Sequence, residues 1–161
     1  MTEHQKNKGK GDAYKDAFER IKSSLEQGFP LEAICLIESI MSDQLLSHAV
    51  GTGTLEGPQE KLLKTSFWQL IEALKTWANK HSSSEAVIIA EDLHQWRAHR
   101  NSLVHSAVKA LPAQAPKLPP EGFWKEAGEA ANQGVTVARK LLKWHRAQIE
   151  ASKRLTEKEV G

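Results

Sequence analysis

The chain has 161 residues, 40% of them apolar and 26% charged, with a formal net charge of +2. That length supports a packed core, while a single Cys35 excludes an internal disulfide and a cysteine-rich zinc site. No apolar run approaches the roughly 20 residues that a membrane span needs, and the charge is too mild to demand a nucleic-acid partner although it leaves room for a local basic patch.

Residues 1–11 are polar and rich in Lys and Gly, which predicts a disordered tail. They hold no apolar stretch of the kind a secretory signal needs, so a cytoplasmic protein is expected. A first helix is predicted from Asp12, with Tyr14, Phe18, Ile21 and Leu25 at helical spacing and Gly28 ending it. A second follows Pro30 over residues 31–50. Its apolar residues, Ile34, Leu36, Ile37, Ile40, Met41 and Leu45, lie on most sides, which marks a central, buried helix. It still carries Glu32, Glu38 and Asp43, and Cys35 is expected to be a packed thiol.

A Gly-rich loop over residues 51–58 precedes a third helix over residues 59–80. Leu63, Phe67, Leu70, Ile71, Leu74, Trp77 and Ala78 give that helix one apolar stripe. Residues 84–108 read as one long helix, with Ser84 as its N-cap and no Gly or Pro inside. Residues 111–120 hold four prolines and form an extended connector. A last helix is predicted over residues 121–153, with a possible bend at Gly128 or Gly134. Val137, Leu141, Trp144 and Leu155 mark its apolar side, and Arg139, Lys143, Arg146 and Lys153 the other. Residues 156–161 are expected to fray. No strand pattern and no repeat is visible, so the expected fold is all-α: a four- to five-helix up-and-down bundle over residues 12–155, as a single domain.

The helix over residues 84–108 carries the chemistry. At about 100° per residue, Ile89, Leu93, Trp96, Leu103, Val104 and Ala107 share one face, and Arg100 falls in its middle. His94, Asn101 and His105 form a polar stripe on one flank, with Arg97 between that stripe and Arg100; His99 points to the opposite side. A guanidinium in an apolar face is costly unless paired, and Glu38 or Asp43 could supply the counter-charge. Arg100 is suited to phosphate binding and charge stabilisation through its planar fork of donors. An imidazole titrating near neutrality, as His105 can, suits proton transfer to or from ribose oxygens. No metal or cofactor is expected: the histidines of this helix have no i, i+4 pairing, there is no HExxH, and GTGT at residues 51–54 lacks the rest of a phosphate-binding loop.

The stretch RNSLVH, from Arg100 to His105, resembles the R-x4-6-H signature of HEPN domains, small all-α domains that are often ribonucleases. Asn101 after the Arg also fits that pattern, as does the motif's place late in a long helix. The resemblance implies an HEPN-like bundle and a metal-independent endoribonuclease with Arg100, Asn101 and His105 catalytic. Arg97, His94, Glu38 and Asp43 would be auxiliary. The ribose 2′-OH would attack the adjacent phosphate to leave a 2′,3′-cyclic phosphate. It further implies a homodimer through the motif helix, a toxin or antiphage defence role, and a possible antitoxin or defence-system partner protein. HEPN toxins paired with nucleotidyltransferase antitoxins often carry a Tyr two residues after the His; Ala107 stands there in this chain. The basic side of the last helix, Arg139, Lys143 and Arg146, is either a solvated face, partly neutralised by Glu150, or a track for the RNA backbone. The alternative is a non-catalytic helical module for dimerisation, RNA binding or protein interaction, an immunity or antitoxin role included, with Arg100 and His105 structural.

Overall fold

The computed structural model describes the backbone of residues 3–108 and 122–159 and the side chains of residues 9–106 and 122–154. The proline-rich connector expected at 111–120 lies outside the described residues, as do the side chains of Ala107 and Leu155. Among the described residues the regular structure is all α-helical, with no strand: α1 Glu3–Glu26, α2 Pro30–Gly51, α3 Gln59–Leu62, α4 Phe67–Lys80, α5 Ser84–Val108 and α6 Phe123–Glu159. Among these residues no helix is long and apolar enough to cross a membrane.

Several boundaries differ from expectation for local reasons. Helix α1 begins at Glu3 rather than Asp12. The segment before Asp12 has no proline and is mostly Glu, Gln and Lys, which tolerate helix well, and Gly9 and Gly11 cost only about 1 kcal/mol each. Its end is as expected. Gly28 takes φ of 79°, and the N–H of Phe29 donates to the carbonyl of Ser24 at 2.8 Å, closing the last turn. Helix α6 starts at Phe123, after Gly122 at φ of 79°, rather than at Glu121. It then runs through Gly128 and Gly134 without a break to Glu159.

The expected third helix is two helices. Ser66 caps α4 in a reciprocal box: the Gln69 N–H donates to Ser66 Oγ at 3.3 Å, and the Ser66 N–H donates to Gln69 Oε1 at 2.9 Å. The extended backbone of the cap separates α3 from α4 and leaves Leu63, assigned to the apolar stripe, 67% exposed. Helix α5 is likewise capped one residue earlier than expected, by Ser83, whose Oγ accepts from the Ala86 N–H at 3.4 Å.

The chain divides into two compact units: Met1–Ile40 with Ala98–Val135, and Met41–Arg97 with Thr136–Gly161. Helices α2, α5 and α6 therefore supply residues to both. The first unit buries Ile21, Ile34, Ile37, Leu103 and Phe123 together with Ala127, Ala130 and Ala131 of α6. Cys35, expected to be packed, is instead exposed, on the same side of α2 as exposed Glu32 and Ser39.

The second unit buries Met41, Leu45, Leu70, Ile71, Leu74, Ile89, Leu93, Trp96, Leu141 and Trp144. Phe67 meets Trp96 edge to face, with ring centroids 6.0 Å apart. His48, only 3% exposed, sits among rings: Trp77 at 4.7 Å, Trp144 at 4.8 Å and His145 at 5.5 Å. The His145 Nδ1–H donates to Gln44 Oε1 at 2.7 Å, whereas His48 Nε2 and Trp144 Nε1 are buried without a hydrogen-bond partner among the described residues.

Burial pushes the His48 imidazole down from 6.5 to about 4, and charge on His145 and His81 pushes in the same direction. Between those two values the unfolded chain takes up a proton that the folded chain refuses. His48 therefore contributes stability above pH 6.5 that is lost as the pH falls toward 4, in total about 3 kcal/mol. Urea unfolding followed across this window should show a fall in the wild type that His48→Phe reduces. Parallel curves for the two proteins would contradict the assignment.

Candidate functional site

In the first unit, α2 and α5 bring Glu38 and Arg100 together. Arg100 Nη2 forms an ion pair with Glu38 Oε2, the side chains being 21% and 27% exposed. Of the two expected carboxylates, Glu38 is thus the partner of Arg100. Arg100 Nη1 donates to Asn101 Oδ1 at 2.6 Å. Its Nε is buried without a hydrogen-bond partner among the described residues. The guanidinium is thus held by Glu38 and by Asn101.

His105 lies one helical turn after Asn101 on α5 and is exposed. No hydrogen bond or ion pair joins it to another described residue, so its imidazole is open to an incoming group. Exposed Val104 stands beside it, although the apolar face was expected to bury that residue. Helix α5 therefore offers a fixed cation, a neighbouring amide and an accessible imidazole over about six residues.

The auxiliary residues separate. His94 and Arg97 belong to the second unit, where the His94 Nε2–H donates to Glu72 Oε1 at 2.8 Å. Arg97 is half-buried, and so is Asp43. His99, on the opposite side of α5, lies 3.4 Å from a carboxylate oxygen of Glu126 and 3.4 Å from Gln133 Oε1 in the first unit. Arg139, Lys143 and Arg146 are all exposed on α6. Among the described residues no group of three or more His, Cys, Asp or Glu is placed to hold a metal ion.

A homodimer through the motif helix cannot rest on Trp96 and Leu103, which share the face of Arg100 but are 0% and 1% exposed within the single chain. The chain's own core uses that face. Apolar periodicity marks a face as buried without saying which chain buries it.

The site reading missed the polar groups of the second core, His48 and His145, and the dyad of His94 with Glu72. The dyad joins residues 22 apart and His145 to Gln44 joins residues 101 apart, so helical spacing carries no signal for either. The chain matches no protein-family model, no curated protein and no solved structure.

Removing Glu38 strands the Arg100 charge in a half-buried setting. Because water still reaches the pair, Glu38→Ala should cost roughly 1–3 kcal/mol, below the loss for a fully buried pair. Arg100→Met in the same chain should recover much of it. A double-mutant cycle by urea denaturation checks this, and additive losses would show that the pair is not coupled.

Proposed function

We propose that the chain is a metal-independent endoribonuclease of HEPN type, with Arg100, Asn101 and His105 of α5 as its site. The observation that carries the reading is the arrangement on α5: a guanidinium fixed by Glu38 and Asn101, with Asn101 itself one turn before an exposed imidazole. His105 takes the proton from a ribose 2′-OH as the 2′-oxygen attacks the adjacent phosphorus. The P–O5′ bond breaks, and the 5′-oxygen leaves with a proton from the His105 of a second copy. Arg100 stabilises the charge that builds on the phosphate oxygens, and the products carry a 2′,3′-cyclic phosphate and a 5′-hydroxyl. In this reading the protein is a cytoplasmic homodimer, a toxin or antiphage defence effector, and a partner protein controls it. Since the core already uses Trp96 and Leu103, the second copy meets α5 on the side of Val104 and His105.

One observation favours the second reading, a non-catalytic helical interaction module. Arg100 is already engaged by Glu38 and Asn101, which suffices to explain its place in an apolar face.

RNA cleavage separates the two. In the ribonuclease, folded His105→Ala loses about 10²- to 10⁴-fold in rate. Arg100→Lys keeps the fold better than the activity, because it keeps the charge but not the fork. Chelator leaves the wild-type rate unchanged. Cleavage of total RNA by variants checked by circular dichroism, with analysis of product ends, is the measurement. A folded His105→Ala as fast as wild type, or a wild type inactive on every RNA tried, decides for the interaction module.

A further inference from the structure

The charge of this chain is unevenly spread. Residues 136–154 contain six Lys or Arg and a single acidic residue, Glu150, whereas the rest of the chain is net negative. All six are exposed, and Lys140 donates to Asp92 Oδ2 at 2.6 Å.

On this part of α6 an open groove of about 400 Å³ is lined by Arg139, Leu142, Lys143, Arg146, Ala147 and Glu150. Its three cations stand at i, i+4 and i+7, on one face, and cover about 10 Å of helix axis. Leu142 and Ala147 give it an apolar floor between the charged ends. We propose that this groove on α6 binds the phosphate backbone of single-stranded RNA, independently of base sequence.

Charge complementarity selects the occupant. A row of cations one turn apart suits a ligand that repeats a negative charge along its length. The described residues lining the groove include no aromatic ring on which a base could stack and no side-chain amide to read a base edge. Contacts therefore fall on phosphates and ribose. Glu150 repels a phosphate at the groove's end and sets the limit of the track. An acidic protein segment would satisfy the cations as well, and it forms the competing arm of the test. The inference rests on the ribonuclease reading only for the choice of RNA as polyanion; the groove and its charges are independent of the α5 site.

The test is fluorescence anisotropy with labelled oligouridine and oligoadenosine of equal length. The full chain carries His105→Ala, so that cleavage does not intrude. Both RNAs should bind within a few-fold of each other. The logarithm of affinity should fall with the logarithm of salt at a slope of about −1.4 or steeper, about −0.7 for each phosphate met by Lys143 and Arg146. Lys143→Gln with Arg146→Gln should weaken binding about 25-fold at 0.1 M salt and flatten the slope by about 1.4, with helix content unchanged by circular dichroism. Glu150→Gln should strengthen binding. The proposal is overturned if the double variant binds like its parent, if oligouridine and oligoadenosine differ by more than tenfold, or if polyglutamate competes as well as RNA. Binding with these properties in a wild type that cleaves no RNA would uphold the groove and overturn the ribonuclease. Cleavage with no effect of the double variant on binding would do the reverse.

Discussion

A guanidinium set into the apolar face of a helix has to be neutralised where it stands, and Glu38 does this for Arg100. The carboxylate arrives from α2, which carries it among Ile34, Ile37 and Ile40. The pair thereby ties the last part of α5 to the first part of α2 within one unit. A fixed cation beside Asn101 follows from that neutralisation, whether or not the cation meets a phosphate. The same constraint sets Arg100 apart from exposed cations such as Lys143 and Arg146.

The second unit meets its polar groups differently. His48 stays uncharged among Trp77, Trp144 and His145, because desolvation outweighs any gain from protonation. His145 shares its proton with Gln44. In one unit a buried charge is kept and paired; in the other a titratable group is kept neutral. Both are ordinary solutions to the cost of burying polarity, and the acid-sensitive His48 belongs to a different unit from the residues of the proposed site.

Helical periodicity made the all-α class and most of the core legible, because the apolar positions of α4, α5 and α6 repeat every three or four residues. Ile71, Leu93 and Leu141 are buried as that spacing requires. The break before α4 was also legible, as Ser66 with Gln69 three residues later, but the apolar stripe from Leu63 to Ala78 masks it. What spacing cannot carry is any contact between distant positions. Glu38 was one of two carboxylates that could have met Arg100, and only the packing of α2 on α5 chose between them. Cys35 reads as core because α2 is apolar on most sides; its neighbours Glu32 and Ser39 were the better guide to its exposure.

The geometry of α5 also constrains any chemistry built on it. Arg100 and His105 are five residues apart, so they project about 140° from one another around the helix axis. One is half-buried and paired, the other exposed. A phosphate placed on His105 of a single helix therefore does not meet Arg100 by direct projection, and Asn101 is the residue that spans the gap, bonded to one and a turn from the other. Two copies of α5 facing each other would remove this difficulty, since the arginine of one could approach the imidazole of the next. Such a face cannot be built on Trp96 and Leu103, which the chain has already enclosed. It would have to be built on residues such as Val104 and His105, which are exposed. On one helix this spacing turns the guanidinium and the imidazole to different sides, so a single copy of α5 does not by itself bring both onto one phosphate.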